Sequence, residues 1–422
     1  MRIVLIIPPN PFLGDQKRNC PLGILYIAGV LEKEGYHTEA VDLRCLEEDK
    51  WLEKIPQADI YGITTSTPEY LIACRVAKLV KNKYSNACIV VGGVHPTVLP
   101  DRIDPVFDKV VVGEGERAIL DVVNDCKNGV EKRFYQSPVI ENLDDIPLPA
   151  RHLLPPDSVI SDKLVVPGIP ATTIVTSRGC PFNCSFCSSP RMWGRRVRFR
   201  SADSVVAEIE KIKKDYGITH FRFQDDVMGA NKKIFLEMFE KMQPLGIRWR
   251  ANLHVNVSTT ELLEAMKKAG CFEIHYGVET ISQDVLDKNN RGMKLDVIYK
   301  AVENTKKLGL RVRLFFIIGL PFEEQGIADR TIEFIKKVGP DGVDLSTFIP
   351  FPGSDVFNNP SKYGIEILSK DFDDYYMSIG LYMGESEKDF ICKHSNLSND
   401  ELKFERKKLL DFIEKYNLAL NK

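Results

Sequence analysis

Short apolar runs alternate with amphipathic helical stretches over the first 140 residues. The run Ile3–Ile7 is continuous, which is typical of a strand buried on both faces of a parallel sheet. The helical stretch Leu22–Glu34, stopped by Gly35, and the strand His37–Leu43 follow it. The alternation continues with strands at Ile60–Ile63, Cys88–Val91 and Lys109–Val112, and with helices at Tyr70–Lys81, after Pro100 and through Ala118–Val123. This pattern predicts a doubly wound parallel sheet.

The alternation of strands and helices resumes after residue 170. The first strand is Thr172–Thr176, and five further strands each follow a helical stretch. These strands are His220–Gln224, Arg248–Asn252, Glu273–Val278, Arg311–Ile318 and Asp344–Ile349. Six such units are fewer than the eight that close a barrel. A terminal helix is predicted over Asn396–Asn421.

Prolines mark the boundary between the two alternating regions. Their density between residues 142 and 170 excludes a long helix and favours an extended connector. We therefore divide the chain into a first domain at 1–140, a linker at 141–170, a second domain at 171–355 and a C-terminal region at 356–422 that caps the site or contacts substrate.

The composition is that of a globular protein, with 422 residues, 44% hydrophobic and 27% charged. A net charge of −2 gives no electrostatic case for binding nucleic acid or a membrane. The N-terminal apolar run ends at Pro8 and Pro9, too short for a membrane span and without a signal-peptide pattern. We expect a cytoplasmic protein, whose ten cysteines are ligands or core thiols rather than disulfides.

Three cysteines lie within eight residues directly after the strand Thr172–Thr176. Cys180, Cys184 and Cys187 have the spacing C-x3-C-x2-C, and no fourth Cys follows at a comparable distance. A structural zinc site normally has four ligands. Three thiolates on an iron–sulfur cluster would leave one iron free to bind a small molecule. A zinc loop or inert buried thiols is the alternative interpretation.

With Phe186 just before its last cysteine, this loop resembles the cluster motif of the radical S-adenosylmethionine (SAM) enzymes. The resemblance implies a [4Fe–4S] cluster, SAM as cosubstrate and a partial, six-unit β/α barrel open on one side. It also implies SAM contacts along the strand ends. The residues matched are Phe186, Gln224, Asp225, Asp226, Glu279, Ser282 and Pro321.

The carboxylates among these predicted SAM contacts have a chemical reason. A carboxylate at Asp225 or Asp226 suits the ammonium group of SAM, although Asp is also a frequent helix cap. Glu279 resembles the family's glutamate that contacts the ribose diol, and Pro321 matches the family's G-x-P turn, which lies near the adenine. The segment Asn289–Met293 resembles the family's loop after the helix that follows the Glu279 strand, and it has Arg291 where Lys is more usual in the family.

The loops that follow the first strands resemble those of the cobalamin-binding domain found in many radical SAM enzymes. In such sheets ligands bind at the carboxyl ends of the strands. The predicted cobalamin contacts are Pro9, Asn10, Thr64, Thr65, Ser66, Thr67, Gly92, Gly93, His95, Gly113, Glu114 and Gly115.

One cobalamin motif is missing from the chain. The D-x-H-x-x-G motif that supplies a cobalt-ligating His in methionine synthase is absent after the first strand, where Pro9–Gly14 stands. We interpret His95 as a structural turn residue rather than a cobalt ligand. A flavodoxin-like or Rossmann-like domain that has lost its ligand or binds another one is the alternative.

The resemblance as a whole implies a cobalamin-dependent radical SAM methyltransferase. It would methylate an unactivated carbon by means of a 5′-deoxyadenosyl radical and methylcobalamin. A non-methylating rearrangement, cyclisation or oxidation is the second hypothesis, and a non-enzymatic cobalamin or iron–sulfur carrier or sensor is the third. The substrate is expected to be a small molecule, lipid or peptide, and the reductant a flavodoxin or ferredoxin. No nucleic-acid partner or membrane span is predicted, and no residue is assigned as catalytic.

Overall fold

The computed structural model describes residues 1–376 and 390–420, which divide into two compact units. Unit 1 comprises Met1–Thr173 together with Arg191–Trp193 and Asp371–Tyr375, and unit 2 holds the other described residues. The predicted C-terminal region at 356–422 includes residues 377–389 and 421–422, which lie outside the described residues.

Unit 1 is built on a parallel sheet with the strand order β2-β1-β3-β4-β5-β6. Its strands are β1 (Arg2–Ile7), β2 (His37–Asp42), β3 (Ile60–Thr64), β4 (Cys88–Gly92), β5 (Lys109–Val111) and β6 (Phe134–Tyr135). Its helices are α1 (Leu22–Lys33), α2 (Glu48–Lys54), α3 (Tyr70–Lys83), α4 (Val94–Val98), α5 (Gly115–Lys127) and α6 (Pro156–Val159).

Helices cover both faces of this sheet. Successive side chains of a strand point to opposite faces, and those of residues 3–7 in β1 are apolar and buried on both. Val4 and Ile6 of β1 belong to an apolar cluster with Trp51 of α2 and Val76 of α3. Helices α1 and α5 pack on each other, and Gly115 permits their approach, since a Cβ there would lie 2.9 Å from Ile27 Cδ1. The predicted doubly wound sheet is confirmed.

One predicted helix of unit 1 was wrong. Instead of a helix after Pro100, the chain forms α4 earlier, within the glycine loop that follows β4, and only a single 3₁₀ turn at Pro100–Arg102. Gly93, with φ of +108°, turns the chain so that α4 can begin at once. Ile103 is extended, so the turn at Pro100 does not propagate.

Unit 2 is built on a curled half-barrel with the strand order β15-β14-β13-β12-β11. Its strands are β11 (His220–Met228), β12 (Arg248–Leu253), β13 (Cys271–Glu279), β14 (Arg311–Ile318) and β15 (Gly342–Thr347). The strands β7 (Ser161–Val166) and β8 (Ile169–Ile174) lie within Met1–Thr173 of unit 1, except for Ile174. Strands β11 to β15 are parallel to their neighbours, whereas β7 is antiparallel to β8. The predicted partial barrel is confirmed.

The remaining elements surround this sheet or close its loops. Two short antiparallel pairs are formed by β9 (Ser177–Arg178) with β10 (Arg198–Phe199), and by β16 (Ile365–Ile367) with β17 (Cys392–His394). The helices are α7 (Ser189–Trp193), α8 (Ala202–Tyr216), α9 (Lys232–Met242), α10 (Thr260–Lys268), α11 (Gln283–Lys288), α12 (Leu295–Lys307), α13 (Ile327–Val338), α14 (Asp355–Asn358) and α15 (Asn399–Leu420).

The two faces of the half-barrel sheet differ in polarity. On the outer face, Trp249 stacks on Phe239 of α9 at 5.5 Å between ring centroids, and Phe316 packs on Phe334 of α13. On the inner face, the accessible side chains include Gln224, Asn252 and Arg313. This alternation places polar groups inside the barrel. In residues 1–376 and 390–420, every helix is too short or too polar to cross a lipid bilayer.

Candidate active site

The three cysteines lie on a loop that is closed at its base by the β9–β10 pair. Gly179 has φ of +102°, and a Cβ there would lie 2.5 Å from the carbonyl oxygen of Arg196, so only glycine fits without strain. Farther along the loop, the Ser185 N–H donates to the Asn289 carbonyl at 3.0 Å, and Ser185 Oγ donates to Asn289 Oδ1 at 2.8 Å. The loop is therefore fixed both at its base and in its middle.

The thiols of Cys180, Cys184 and Cys187 are half-buried on this loop. Burial raises the pKa of all three, that of Cys187 to about 12. Two of the sulfur atoms meet N–H donors: Ser189 N donates to Cys187 Sγ at 3.4 Å, and Arg291 Nη1 to Cys184 Sγ at 3.7 Å. Donors directed at sulfur stabilise a thiolate and, on a cluster, tune its reduction potential.

This set of donors fits a [4Fe–4S] cluster. Each thiolate of such a cluster ligates its own iron, so the sulfur atoms need not converge on one point as the ligands of a single ion do. Within the described part of the chain, no three His, Cys, Asp or Glu side chains form a group that could hold a single metal ion. The loop offers three soft thiolates with polar support, as the cluster interpretation requires.

Asp225 lies on β11 and holds the turn that leads into the cysteine loop. Its Oδ1 accepts hydrogen bonds from Thr176 N at 3.0 Å, Thr176 Oγ1 at 2.8 Å and Ser177 Oγ at 2.5 Å. Burial raises the pKa of Asp225 to about 6, against the effect of these donors. The helix-cap interpretation was wrong, because Asp225 and Asp226 both belong to the strand.

Asp226 occupies the opposite face of β11, beside the cysteines. Its side chain and that of Gln224 remain accessible on the inner face of the sheet. Burial by the surrounding protein raises the pKa of Asp226, and hydrogen bonds from Ser189 and from the Gly179 backbone oppose the rise. The Asp226 charge in turn raises the pKa of Cys180. Of the two predicted carboxylates, Asp226 is thus the one available to a ligand.

Glu279 ends β13 in a strained backbone conformation, with φ of +68°. Positive φ at a residue other than glycine is costly and is frequent at functional sites. Arg291 Nη2 contacts Glu279 Oε1 at 3.3 Å, and a Cβ on Gly277 would overlap the same carboxylate. Burial raises the pKa of Glu279, and Arg291 opposes the rise. Ser282, also predicted, precedes α11, and its N–H donates to Thr280 Oγ1 at 3.4 Å.

The turn after β14 is held by two side chains. The Pro321 carbonyl accepts a hydrogen bond from Asn289 Nδ2 at 3.0 Å, and Glu323 Oε2 accepts one from Gly319 N at 2.7 Å. Burial raises the pKa of Glu323 to about 8. Phe186 packs on the apolar cluster that contains Leu320, so the cysteine loop and this turn share one core.

His394 of β17 also lies against this turn, although it is far away in sequence. A Cβ on Gly319 would lie 3.6 Å from His394 Nε2, and the Phe348 ring is 6.1 Å away between centroids. Burial lowers the pKa of His394 to about 4. Sequence reasoning missed this residue, because nothing in the pattern near residue 394 indicates which loop it meets.

The predicted cobalamin loops of unit 1 are joined by one carboxylate. Glu69 Oε1 accepts a hydrogen bond from Asn10 Nδ2 at 2.8 Å, and Glu69 Oε2 accepts from Ser66 N at 2.9 Å and Ser66 Oγ at 2.7 Å. Asn10 Oδ1 is buried without a hydrogen-bond partner in the structure as described. Buried Pro9 precedes it. A buried acceptor without a donor fits a ligand that brings one.

Glycines let the loops after β3 and β4 touch. A Cβ on Gly93 would lie 2.7 Å from Thr65 O and 3.2 Å from Thr64 Oγ1, and Thr65 N donates to Gly92 O at 3.0 Å. The loops at the carboxyl ends of β1, β3 and β4 therefore form one surface, the edge at which such sheets bind ligands. Its residues fit the cobalamin expectation in position and packing.

His95 is fully buried in this region. Its ring stacks on Tyr70 at 4.0 Å between centroids, the Phe372 ring meets it edge-on at 4.7 Å, and Nδ1 lies 3.3 Å from Thr67 Oγ1. Burial lowers the pKa of His95 to about 4. This enclosure supports the interpretation of His95 as a structural residue.

The segment Gly113–Gly115 makes internal contacts. Gly113 N donates to Thr97 Oγ1 at 2.9 Å, and Glu114 Oε2 accepts from Ile140 N at 2.9 Å. Gly115 permits the packing of α5 on α1, as described above. These contacts give Gly113, Glu114 and Gly115 structural roles within unit 1. That they also contact cobalamin stays a prediction.

Comparison with known proteins follows the same division of the chain. The family model for the radical SAM superfamily matches residues 174–335, and that for the B12 binding domain matches residues 18–123. An uncharacterized methyltransferase of Pyrococcus horikoshii is 34% identical over 84% of this chain and 82% of its own length. The anaerobic magnesium-protoporphyrin IX monomethyl ester cyclase of Rubrivivax gelatinosus is 29% identical over 88% of this chain and 72% of its own length.

A solved structure shares the fold. The radical SAM methyltransferase TsrM of Kitasatospora setae, with cobalamin and a [4Fe–4S] cluster bound, superposes with a TM-score of 0.70 at 16% identity, over 88% of this chain and 81% of TsrM. The predicted family and cofactors are confirmed by these matches. The chain belongs to the cobalamin-dependent radical SAM enzymes, which use a [4Fe–4S] cluster, SAM and cobalamin.

Proposed function

We propose that this enzyme transfers a methyl group to an unactivated carbon of a small molecule. The observation that carries the proposal is the presence of both cofactor domains in one chain that matches a methyltransferase over 84% of its length. When bound, the three cofactors supply one-electron cleavage of SAM and a transferable methyl group. The protein supplies binding, orientation and a polar interior.

The residues of unit 2 have distinct roles in the proposal. Cys180, Cys184 and Cys187 would hold the cluster. Asp226, which is accessible beside them, would receive the SAM ammonium group through charge-assisted hydrogen bonds. Glu279 would accept hydrogen bonds from the ribose hydroxyls, since its carboxylate is already fixed by Arg291.

The remaining predicted contacts serve the adenine and the corrinoid. The Gly319–Pro321 turn, locked by Asn289 and Glu323, would present its backbone to the adenine. The loop surface around Asn10, Ser66 and Gly93 in unit 1 would hold cobalamin, with the buried Asn10 Oδ1 as an acceptor.

The inner face of the half-barrel supports a substrate with polar groups. Gln224 and Asn252 are accessible there, and Arg313 pairs with Asp344 at 3.1 Å. Solved TsrM has been captured with tryptophan and a SAM analog, which shows that the related fold admits a small polar molecule. We infer a small-molecule substrate, an external one-electron reductant of the flavodoxin or ferredoxin type, and a cytoplasmic setting.

The test is a product assay under anaerobic conditions. Protein reconstituted with iron, sulfide and hydroxocobalamin is incubated with SAM, dithionite and a small-molecule extract. Methylation predicts both 5′-deoxyadenosine and S-adenosylhomocysteine together with a methylated product. The cyclase relative favours a second outcome, 5′-deoxyadenosine with an oxidised or cyclised product and no S-adenosylhomocysteine, which would replace methylation by the alternative.

A further inference from the structure

The loop between α11 and α12 contacts three parts of the predicted SAM site in unit 2: the cysteine loop, the end of β13 and the turn after β14. Asn289 binds the cysteine loop through Ser185 and the adenine turn through Pro321. Arg291 N donates to Leu286 O at 2.9 Å, which anchors the loop to α11. Asn290 has φ of +53°, so the backbone turns sharply just before Arg291. The Arg291 backbone is thus held firmly between the cysteines and the end of β13.

The guanidinium of Arg291 joins two predicted ligands. Nη2 donates to Gly277 O at 2.7 Å and contacts Glu279 Oε1 at 3.3 Å, while Nη1 lies 3.7 Å from Cys184 Sγ. The side chain is 10% exposed. Its Nε–H is buried and meets no acceptor in residues 1–376 and 390–420. One planar, permanently charged group therefore spans the cysteine loop and the strained end of β13.

We propose that Arg291 is a positioning residue that couples the cluster to the SAM ribose site. Its fixed positive charge beside Cys184 stabilises the reduced cluster, because reduction adds negative charge to the cluster. Its second amino group orients Glu279 toward the ribose, and its buried Nε–H is a donor for an acceptor on the cluster or SAM. The inference rests on the assignment of Cys184 and Glu279 in the proposed function.

The chemistry of arginine explains why this chain has Arg rather than Lys here. The two amino groups of a guanidinium point in different directions and serve two acceptors with one side chain. An ammonium group is a single point charge on a flexible stem, and it would satisfy either the thiolate or the carboxylate. The desolvation cost of burying the guanidinium charge is offset, because the Glu279 carboxylate and the Cys184 thiolate both lie beside it.

The test compares Arg291→Gln and Arg291→Lys with Arg117→Gln, which removes an exposed arginine of α5 in unit 1. Each protein is reconstituted with iron and sulfide. Three quantities are measured: iron content, the midpoint potential of the cluster by EPR-monitored titration, and the Kd of SAM. None of these readouts requires a methylated product.

We expect R291Q to keep its iron, to show a more negative midpoint potential and to bind SAM about tenfold more weakly. R291K should have a midpoint potential close to that of the parent, since it keeps the positive charge, yet bind SAM several-fold more weakly. R117Q should match the parent in all three. An unchanged potential in iron-loaded R291Q would overturn the proposal, as would loss of iron from both variants, which would make Arg291 a folding requirement.

These outcomes are separate from those of the proposed function. If the parent binds cluster and SAM but makes no methylated product, the methylation proposal fails while the Arg291 comparison stands. If the parent binds no cluster, the assignment of Cys180, Cys184 and Cys187 fails and takes the Arg291 inference with it.

Discussion

The adjacent carboxylates on β11 have different surroundings. Asp225 is buried and accepts three hydrogen bonds from Thr176 and Ser177, whereas Asp226 is accessible beside the cysteines. The sequence predicted the pair without choosing between them. The choice follows from strand alternation, which turns neighbouring side chains to opposite faces.

Asp225→Ala should therefore lower stability, and Asp226→Ala should lower SAM affinity. The first leaves three buried donors without an acceptor, which costs on the order of 3 kcal/mol of unfolding free energy. The second removes an accessible carboxylate and should change stability by less than about 1 kcal/mol. Urea unfolding and SAM titration on both variants check this pair, and equal effects of the two on stability would contradict it.

Glu323 gives a pH dependence of stability. Its pKa is raised to about 8 in the folded protein from an ordinary 4.5, so the folded state holds the proton more tightly than the unfolded state. Stability then falls as pH rises from about 4.5 to 8 and is level above that.

Glu323→Gln should remove this contribution, because an amide oxygen can still accept from Gly319 N without ionising. Unfolding free energies of parent and variant from about pH 5 to 9 provide the measurement. The difference should move in favour of the variant as pH rises; a difference independent of pH would show that Glu323 does not titrate in this range.

At the scale of elements, the end of β13 depends on a glycine that leaves room for the Glu279 carboxylate. A Cβ on Gly277 would overlap the Glu279 carboxylate and lie 3.1 Å from Arg291 Nη2. Gly277→Ala should therefore displace Glu279 and weaken SAM binding on the order of tenfold, with little change in overall stability.

Gly23→Ala is the matched control, because nothing lies within 4 Å of its Cβ position in α1. It should leave SAM affinity unchanged and raise stability slightly, since Ala is a better helix former than Gly. Isothermal titration with SAM on both variants distinguishes them. Unchanged affinity in G277A would remove Glu279 from the ribose site.

The sequence predicted the elements better than their contacts. Continuous apolar runs located the core strands, because a strand that is buried on both faces has apolar side chains at nearly every position. The helix after Pro100 was misplaced, since only the fold reveals that Gly93 reverses the chain. The Ser185–Asn289 bond joins residues 104 positions apart, and His394 of β17 lies against Gly319, 75 positions earlier in the chain. No local pattern encodes such contacts.

At the scale of the whole molecule, the proposal assigns cobalamin to unit 1 and the cluster to unit 2, because the B12 binding model matches residues 18–123 and the radical SAM model matches residues 174–335. Gly93→Val should abolish retention of cobalamin while iron content stays normal. The valine side chain would overlap Thr65 O, and valine disfavours the positive φ that Gly93 adopts. Replacing Cys180, Cys184 and Cys187 by Ala should do the reverse. Corrinoid absorbance and iron content after gel filtration check both, and loss of both cofactors in either variant would contradict separate sites.

The fate of the SAM methyl group tests the central claim most directly. Reconstituted, reduced enzyme is incubated with SAM that carries a deuterated methyl group and with a small-molecule extract, and all products are analysed by mass spectrometry. Methylation predicts 5′-deoxyadenosine, S-adenosylhomocysteine and a product whose carbon skeleton carries the deuterated methyl group, with none of them from the variant in which Cys180, Cys184 and Cys187 are replaced by Ala. 5′-Deoxyadenosine without S-adenosylhomocysteine and without label in any product would contradict it.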